Sequence, residues 1–293
     1  MNEVVVVIVT YNRLEMLKKC INSVLCQTYK INKVILIDNA STDGTSSWVK
    51  DVVLPECSII QLIEMQTNTG GAGGFHHGLL SAMKLSCQYI WAMDDDVEPE
   101  PSCLENLIFI SGGKSVVQPT RLHSDGSVFC WHHYFEPLSY TKYTTRIELG
   151  GDYLVVSNVA CFEGILLPRR VVEDCGLPDK NYFICEDDTL YGYKVSRKYP
   201  ILYTSKARMR RLGPISGGQA SWKIYYLVRN KIWNIKLIRQ DFSNRPLLIF
   251  FSYVCFPVGL IRDFLTCRFS VSSYRYFFKG LLHGFESIKD RQD

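Results

Sequence analysis

Long apolar runs are missing from this chain. No stretch of 18 or more apolar residues occurs among its 293, which excludes a simple membrane-spanning helix. Its eleven cysteines include no Cys-x-x-Cys pair, so zinc ribbons and thioredoxin-type redox sites are excluded as well. There is no Gly-x-x-x-x-Gly-Lys-Ser/Thr phosphate loop, no internal repeat and no low-complexity tract. Charge of one sign is scarcely in excess: 33 Lys and Arg against 29 Asp and Glu give +4, too little to suggest a nucleic-acid binder. The start also lacks the basic leader of a secretion signal, because Met1-Asn2-Glu3 runs straight into a string of valines. The cysteines therefore read as reduced, mostly buried small hydrophobes of a cytoplasmic protein.

What is present is an ordinary globular mixture, 47% hydrophobic and 21% charged, with an uneven charge. Residues 1–204 hold 17 basic and 24 acidic side chains, a net of −7, while residues 205–293 hold 16 and 5, a net of +11. The acidic body alternates strand and helix patterns. Residues 4–10 (VVVVIVT) and 33–38 (KVILID) read as buried parallel strands, and residues 14–27 carry apolar positions at helical spacing. A cap at 41–45 leads into a helix through Trp48. Further strands are expected at 58–64, 89–93 and 115–119. Residues 70–74 read as a glycine-rich loop before a helix over 78–85. Residues 125–151 read as a β-excursion or loop, 155–167 as strand and turn ending at Pro168, and 182–199 as an acidic cluster followed by a helix. The alternation implies an α/β domain around a mostly parallel sheet.

Four clusters carry chemistry. Two consecutive strand ends, Thr10-Tyr11-Asn12-Arg13 and Asp38 through Asp43, sit where open α/β sheets bind ligands, and their polar groups suit a nucleobase edge as well as they suit turns and helix caps. Asn68-Thr69-Gly70-Gly71-Ala72-Gly73-Gly74 lets backbone N–H groups approach a phosphate or a sugar. Asp94-Asp95-Asp96 follows an apolar strand. Three adjacent carboxylates repel unless a cation compensates, and alternation in an extended chain puts Asp94 and Asp96 on one side, as ligands for a hard divalent ion such as Mn2+ or Mg2+. Glu186-Asp187-Asp188 opens a helix. One of these acids suits a general base and another a helix cap.

Together these segments resemble the family 2 inverting glycosyltransferases of the GT-A fold, and the glycine segment points to the bacterial galactofuranosyl- and rhamnosyltransferase branch. The likeness spans residues 4 to about 235 and takes in Asp187 through Gly192 and Tyr225-Tyr226-Leu227-Val228-Arg229-Asn230. The resemblance implies a sheet flanked by helices, with a transferase domain at 1–220 and a helical, basic and aromatic region at 221–293. It implies that Thr10, Tyr11, Asn12, Arg13 and Asp38 bind the nucleotide. Asn68, Gly70, Gly71, Gly73 and Gly74 would border the diphosphate and sugar, Asp94 and Asp95 would contact the nucleotide sugar, and Asp94 and Asp96 would hold the metal. Asp188 matches the catalytic base, with Asp187 beside it. Galactofuranosyltransferases of this type usually carry a histidine, a third metal ligand, about two dozen residues past the base. Here that stretch reads Ala207-Arg208-Met209-Arg210-Arg211-Leu212-Gly213, which implies a weak metal requirement or an arginine standing in.

The implied donor is UDP-galactofuranose, with dTDP-rhamnose as the rival. The implied acceptor is a lipid-linked glycan of bacterial surface polysaccharide. A catalytically silent sugar-nucleotide-binding module is the reading from another class. No nucleic-acid partner is expected. Residues 247–261 (LLIFFSYVCFPVGLI), set among Arg239, Arg245, Arg262 and Arg268, read either as a core helix and turn or as a segment on the anionic inner face of the cell membrane. His76, His77, His132 and His133 read as surface or acceptor-side groups.

Overall fold

Seven consecutive β-branched residues, Val4–Thr10, form strand β1 with every side chain buried. In the computed structural model, which describes residues 3–129, 133–144, 152–213, 220–266 and 271–286, without the side chains of 263, 266, 271 and 272, β1 lies inside a large sheet. Helix α1 (Leu14–Leu25) follows, burying Leu17, Cys20, Ile21 and Val24 at three- and four-residue spacing. Next come β2 (Lys33–Asp38), α2 (Thr45–Trp48), a π-turn (Val49–Val53), α3 (Leu54–Glu56) and β3 (Ile60–Glu64). The helical stretch after the 41–45 cap thus runs on past Trp48. Helix α4 (Gly70–Ala82) and β4 (Tyr89–Asp94) complete the first half. Strands β3, β2, β1 and β4 are neighbours in that order, all parallel.

The second half runs β5 (Val97–Pro99), α5 (Cys103–Ser111), β6 (Val116–Leu122), a small hairpin of β7 (Tyr134–Phe135) and β8 (Lys142–Tyr143), then β9 (Leu154–Ser157) and β10 (Ile165–Pro168). Helix α6 (Arg169–Cys175), a 3-10 turn (Lys180–Tyr182), α7 (Asp187–Ser196) and β11 (Ile201–Arg211) follow. Here the expected parallel arrangement gives way to a mixed one. Strand β6 pairs β11 in parallel, but β10 runs antiparallel to both β4 and β6, and β5 and β9 run antiparallel to β11. The cause is connectivity. The chain reaches β10 from the carboxyl edge of β4, through a turn in which the Gly164 N–H donates to the Ala92 carbonyl at 2.9 Å, with no crossover helix to turn it round.

The glycine segment departs from the loop reading, since α4 starts at Gly70. A Cβ on Gly74 would come 2.4 Å from Val9 Cγ1, and one on Gly78 2.3 Å from Val7 Cγ1. The glycines are therefore the ridge by which a helix lies directly on β1. Gly70 itself has φ +70°, and a Cβ there would strike the Phe183 carbonyl.

Two layers of core cover the sheet. Trp91, Leu36 and Ile8 meet α1 and α5 on one face, and Val7, Ile37 and Ile90 meet Phe75, Leu79 and Tyr191 on the other. Burying each such side chain contributes roughly 1.5–3 kcal/mol. The chain ends in α8 (Ser221–Gln240), α9 (Pro246–Thr266) and α10 (Val271–Phe285). Pro257 lies inside α9, so 247–261 is one helix without the turn; Phe256 packs into a buried cluster with α8 and α10, while Leu247, Phe250 and Tyr253 are exposed. No described helix is long and apolar enough to cross a membrane. The nine described cysteines are free, with Cys20, Cys87, Cys103 and Cys161 buried and Cys26 exposed. Cys130, Cys267, His132 and Arg268 lie outside the described residues.

Candidate functional site

The parallel strands β1, β2 and β4 end side by side, which brings three of the sequence clusters together. Thr10 is 1% exposed at the end of β1, and its hydroxyl donates to Asp95 Oδ2 at 2.6 Å. Arg13 reaches the same turn with Nη1, donating to Asp95 Oδ1 at 3.0 Å and Asp96 Oδ2 at 2.9 Å. The Tyr11 N–H adds a longer bond to Asp95, and its side chain is exposed. The three aspartates do not alternate along an extended strand as expected. Asp94 is the last residue of β4, and the chain turns at Asp95 and Asp96 before β5, so Arg13 meets both of the latter. Like charges this close must be bent apart or neutralised, and this chain does both.

Burial pushes the Asp94 carboxyl well above the usual carboxylate range, with Asp96 and Glu163 adding to the shift. Burial raises Asp95 and Asp96 too, against the pull of Arg13. The Arg13 guanidinium is itself raised: burial works to lower it, and Asp96 and Asp95 outweigh burial. Asp96 Oδ1 is buried and has no hydrogen-bond partner among the described residues. Such an oxygen is costly unless something binds it.

Asn12 and Asp38 organise the neighbouring turn. Asn12, at φ +52°, accepts the Thr42 N–H on Oδ1 at 2.7 Å, and its own N–H donates to Ser41 Oγ at 3.0 Å. Asp38 is 1% exposed and accepts from the Ser41 N–H at 2.9 Å and from the Ser46 hydroxyl. Its neighbour Asn39, part of the same strand-end cluster, ties β2 to the start of α4. Its carboxamide donates to the Gly70 carbonyl and accepts from the Thr69 N–H and hydroxyl. Asn68 Oδ1 accepts the Gly70 N–H at 2.8 Å. Of the four glycines at 70–74, Gly73 and Gly74 face Thr69 and Val9, Gly70 faces Phe183, and only at Gly71 would a Cβ meet nothing within 4 Å. The helix N-terminus stands at the same edge as the aspartates and suits an anion.

The antiparallel β10 adds a residue that the sequence did not reveal. Glu163, just before it, accepts from Arg121 Nη1 at 3.0 Å and from Arg211 Nη2 at 3.3 Å, and its charge acts on Asp94 and Asp96. No pattern around Glu163 marks it, because only strand direction carries it to this edge. Of the arginines at 208–211, Arg211 alone faces the cluster. Arg208 donates to the Ser205 carbonyl, and Arg210 pairs Glu98 at 3.7 Å.

Helix α7 presents the second acidic group. Glu186 makes no cap. It is 3% exposed and accepts from Lys142 Nζ at 2.8 Å and the Tyr140 hydroxyl at 2.8 Å. Burial works to raise its carboxyl, but Lys142 outweighs burial and holds it below the usual range. Asp187 and Asp188 form the first turn. Burial pushes Asp188 up to about 6 while Lys142 pulls it down, and burial with the Asp188 charge pushes Asp187 up to about 8. Asp188 Oδ1 accepts the Thr189 N–H at 2.7 Å.

The approach to α7 is strained, with φ of +65° to +67° at Phe183, Cys185 and Glu186. Helix α8 holds it. Asn230, fully buried, directs Nδ2 to the carbonyls of Tyr182, Ile184 and Cys185 at 3.2, 2.9 and 2.7 Å. Asn234 Nδ2 donates to the Glu186 carbonyl, and Arg229 to those of Asn181 and Tyr182. The histidines stand apart from the carboxylates. His76 Nδ1 bonds the Pro178 carbonyl at 2.8 Å, His77 stacks edge-on against it, and His133 is buried against Tyr203.

The Glycosyl transferase family 2 sequence model matches residues 5–168, from β1 to the end of β10. The galactofuranosyltransferase GlfT1 of Mycolicibacterium smegmatis is 27% identical over 190 residues, which span 62% of this chain and 61% of that protein. The crystal structure of GalNAc-T7 with UDP, GalNAc and Mn2+ aligns over 80% of this chain and 48% of that one, with a TM-score of 0.66 at 14% identity. The mannosyltransferase PcManGT from Pyrobaculum calidifontis, in complex with GDP-Man and Mn2+, aligns over 97% and 86%, with a TM-score of 0.57 at 16% identity. The chain thus spans less than two thirds of the first two proteins. Its fold is the GT-A arrangement that such glycosyltransferases share.

Proposed function

The chain belongs to glycosyl transferase family 2, and on that premise we propose that it is an inverting glycosyltransferase that moves galactofuranose from UDP-galactofuranose to a hydroxyl of a lipid-linked glycan. Support for the sugar comes from the relative named as a galactofuranosyltransferase. The carrying observation is the pairing of a strand-end carboxylate cluster with Asp188, a half-buried carboxylate at the start of α7 that is raised to about 6, near the working range of a general base.

The residue roles follow. Thr10, Tyr11, Asn12, Arg13 and Asp38 form the nucleotide side. Asn68 and the α4 N-terminus border the diphosphate and sugar, and Asp94 and Asp95 line the donor. Asp188 takes the proton from the acceptor hydroxyl as its oxygen attacks the anomeric carbon from the face opposite the departing diphosphate, which inverts the centre. Asp187 stands beside it as a carboxyl that holds its proton up to about 8, and Lys142 limits how far the Asp188 carboxyl rises.

No group of three or more His, Cys, Asp or Glu set to hold a metal occurs among the described residues. The unpartnered Asp96 Oδ1 and the half-buried Asp94 nevertheless fit a divalent ion that shares its other positions with donor phosphate oxygens. When bound, Mn2+ or Mg2+ would stabilise charge on the leaving diphosphate. Arg13 and Arg211 already supply positive charge at this edge, which supports a weak metal requirement. Residues 1–220 act as the transferase domain and 221–293 as the membrane- and acceptor-side region, with α8 serving both. The basic end draws the enzyme to the anionic inner face of the cell membrane.

The test is donor screening. Purified protein is incubated with UDP-galactofuranose, dTDP-rhamnose and other nucleotide sugars, with and without acceptor. Acceptor-dependent release of UDP supports the proposal, release of dTDP replaces the sugar, and binding without release of any nucleotide makes the chain a silent binding module.

A further inference from the structure

Helices α8, α9 and α10 flank a half-open cavity of about 660 Å³. Its walls are apolar and aromatic, including Phe256, Leu260, Phe264, Phe277 and Leu281. Only Lys236 and Arg239 add charge to its lining. Lys236 Nζ donates to the Gly284 and Phe285 carbonyls, and Arg239 donates to Ser252 Oγ and its carbonyl. Neither cation has a carboxylate partner among the described residues, and burial lowers both. An apolar pocket lined by two cations that meet no carboxylate among the described residues complements an amphiphile with one greasy chain and an anionic head.

The surface around the cavity has the same character. Along α9, Leu247, Phe250 and Leu265 are 83%, 71% and 74% exposed, and on α10 Leu282 and Phe285 are 69% and 67% exposed. Soluble monomers seldom expose apolar patches on this scale without a partner. The stretch 246–285 carries Arg262, Arg268, Arg275 and Lys279 against Asp263 alone, so a twofold contact between copies of it would set like charge against like. A bilayer containing anionic lipid satisfies both the apolar face and the charge.

We propose that α9 and α10 lie in the membrane interface and that the α8–α10 cavity takes one chain of an anionic phospholipid, with Lys236 and Arg239 meeting its head. This deepens the membrane reading above by giving it a site, and it does not depend on which sugar is moved.

The test floats the full chain with vesicles of phosphatidylcholine alone and of phosphatidylcholine with phosphatidylglycerol, without nucleotide. The expected result is strong binding to the anionic vesicles. The double variant Ile261→Asp/Phe278→Asp, at two lining residues that are 57% and 55% exposed, is expected to lose about tenfold or more of that binding. Lys236→Gln is expected to narrow the preference for phosphatidylglycerol. Calorimetry with dodecyl phosphate below its micelle concentration reads the cavity itself. The native chain is expected to bind it, inorganic phosphate is not, and Leu260→Trp should weaken the binding. An unchanged melting shift with UDP shows that the variants remain folded. Undiminished vesicle binding by the double variant would overturn the proposal, as would failure of dodecyl phosphate to bind. A lipid-free dimer that the double variant dissociates would assign the face to a second copy and overturn it equally. Failure of UDP to bind while the vesicle results hold would count against the donor reading alone.

Discussion

The Thr10 hydroxyl donates to Asp95 at 2.6 Å, joining the end of β1 to the turn that follows β4. Asp95 is 1% exposed and is held on its other oxygen by Arg13, so both of its carboxylate oxygens are engaged where the triplet borders the donor edge.

Replacing Arg13 by Ala would remove the compensating charge from Asp95 and Asp96. Because Arg13 is about half exposed, water recovers part of the loss, and a cost of about 1–3 kcal/mol is expected. Chemical denaturation checks it, with nucleotide affinity falling in parallel. A variant as stable as the native chain would show that Asp95 does not need its partner.

Asp96→Ala should weaken nucleotide diphosphate binding in Mn2+ and leave binding in chelator nearly unchanged. Titration calorimetry in both buffers reads the difference. Equal affinities for the native and variant chains in Mn2+ would remove Asp96 from the metal site.

Asp188→Asn should lower turnover by about 10²–10⁴-fold while sparing donor binding, since a general base contributes on that scale. Near-native turnover would exclude Asp188 as the base.

The Asp187 and Asp188 pair also sets a pH response. Burial raises both carboxyls, with the Asp188 charge taking Asp187 to about 8 and the Glu186 charge helping to take Asp188 to about 6. A base must be ionised, so kcat/KM is expected to fall as pH drops through about 6, and Lys142→Gln should move that limb higher. Stability runs the other way. Carboxyls raised on folding favour the folded state most below the unfolded pKa, and that contribution is lost as pH rises through about 6 and about 8. Asp187→Asn should therefore flatten the decline of Tm over that interval. A decline as steep as in the native chain would place its origin elsewhere.

Asn230→Ala leaves the Ile184 and Cys185 carbonyls without their side-chain donor beside a strained segment, while Arg229 still holds that of Tyr182, at a cost of about 1–3 kcal/mol. Turnover is expected to fall more than donor affinity, because the segment leads into Asp188. A loss of stability with unchanged kcat would confine Asn230 to a structural role.

Much of the first half of the fold was legible because its signals are local. Continuous β-branched runs gave β1 and β2 to the residue, and acids at strand ends marked the donor edge. The glycine segment misled in one respect. Glycine signals freedom to loop, but here its value lies in close approach, which only the neighbouring Val7 and Val9 reveal. Glu163 and Lys142 were not legible at all, since each acquires its place from a strand pairing or hairpin distant in sequence. The signal for α8 was partial. Its motif resembled a known one, but the reason for two asparagines and an arginine on one helix emerges only from the carbonyls of residues 181–186.

Gly71 differs from its neighbours in that no packing demand fixes it. A Cβ there would meet no protein atom within 4 Å, at the tip of the helix that borders the donor edge. That makes residue 71 a natural attachment point. A cysteine introduced at Gly71 and carrying a fluorophore would report occupancy of the donor edge directly, turning the transferase into its own sensor.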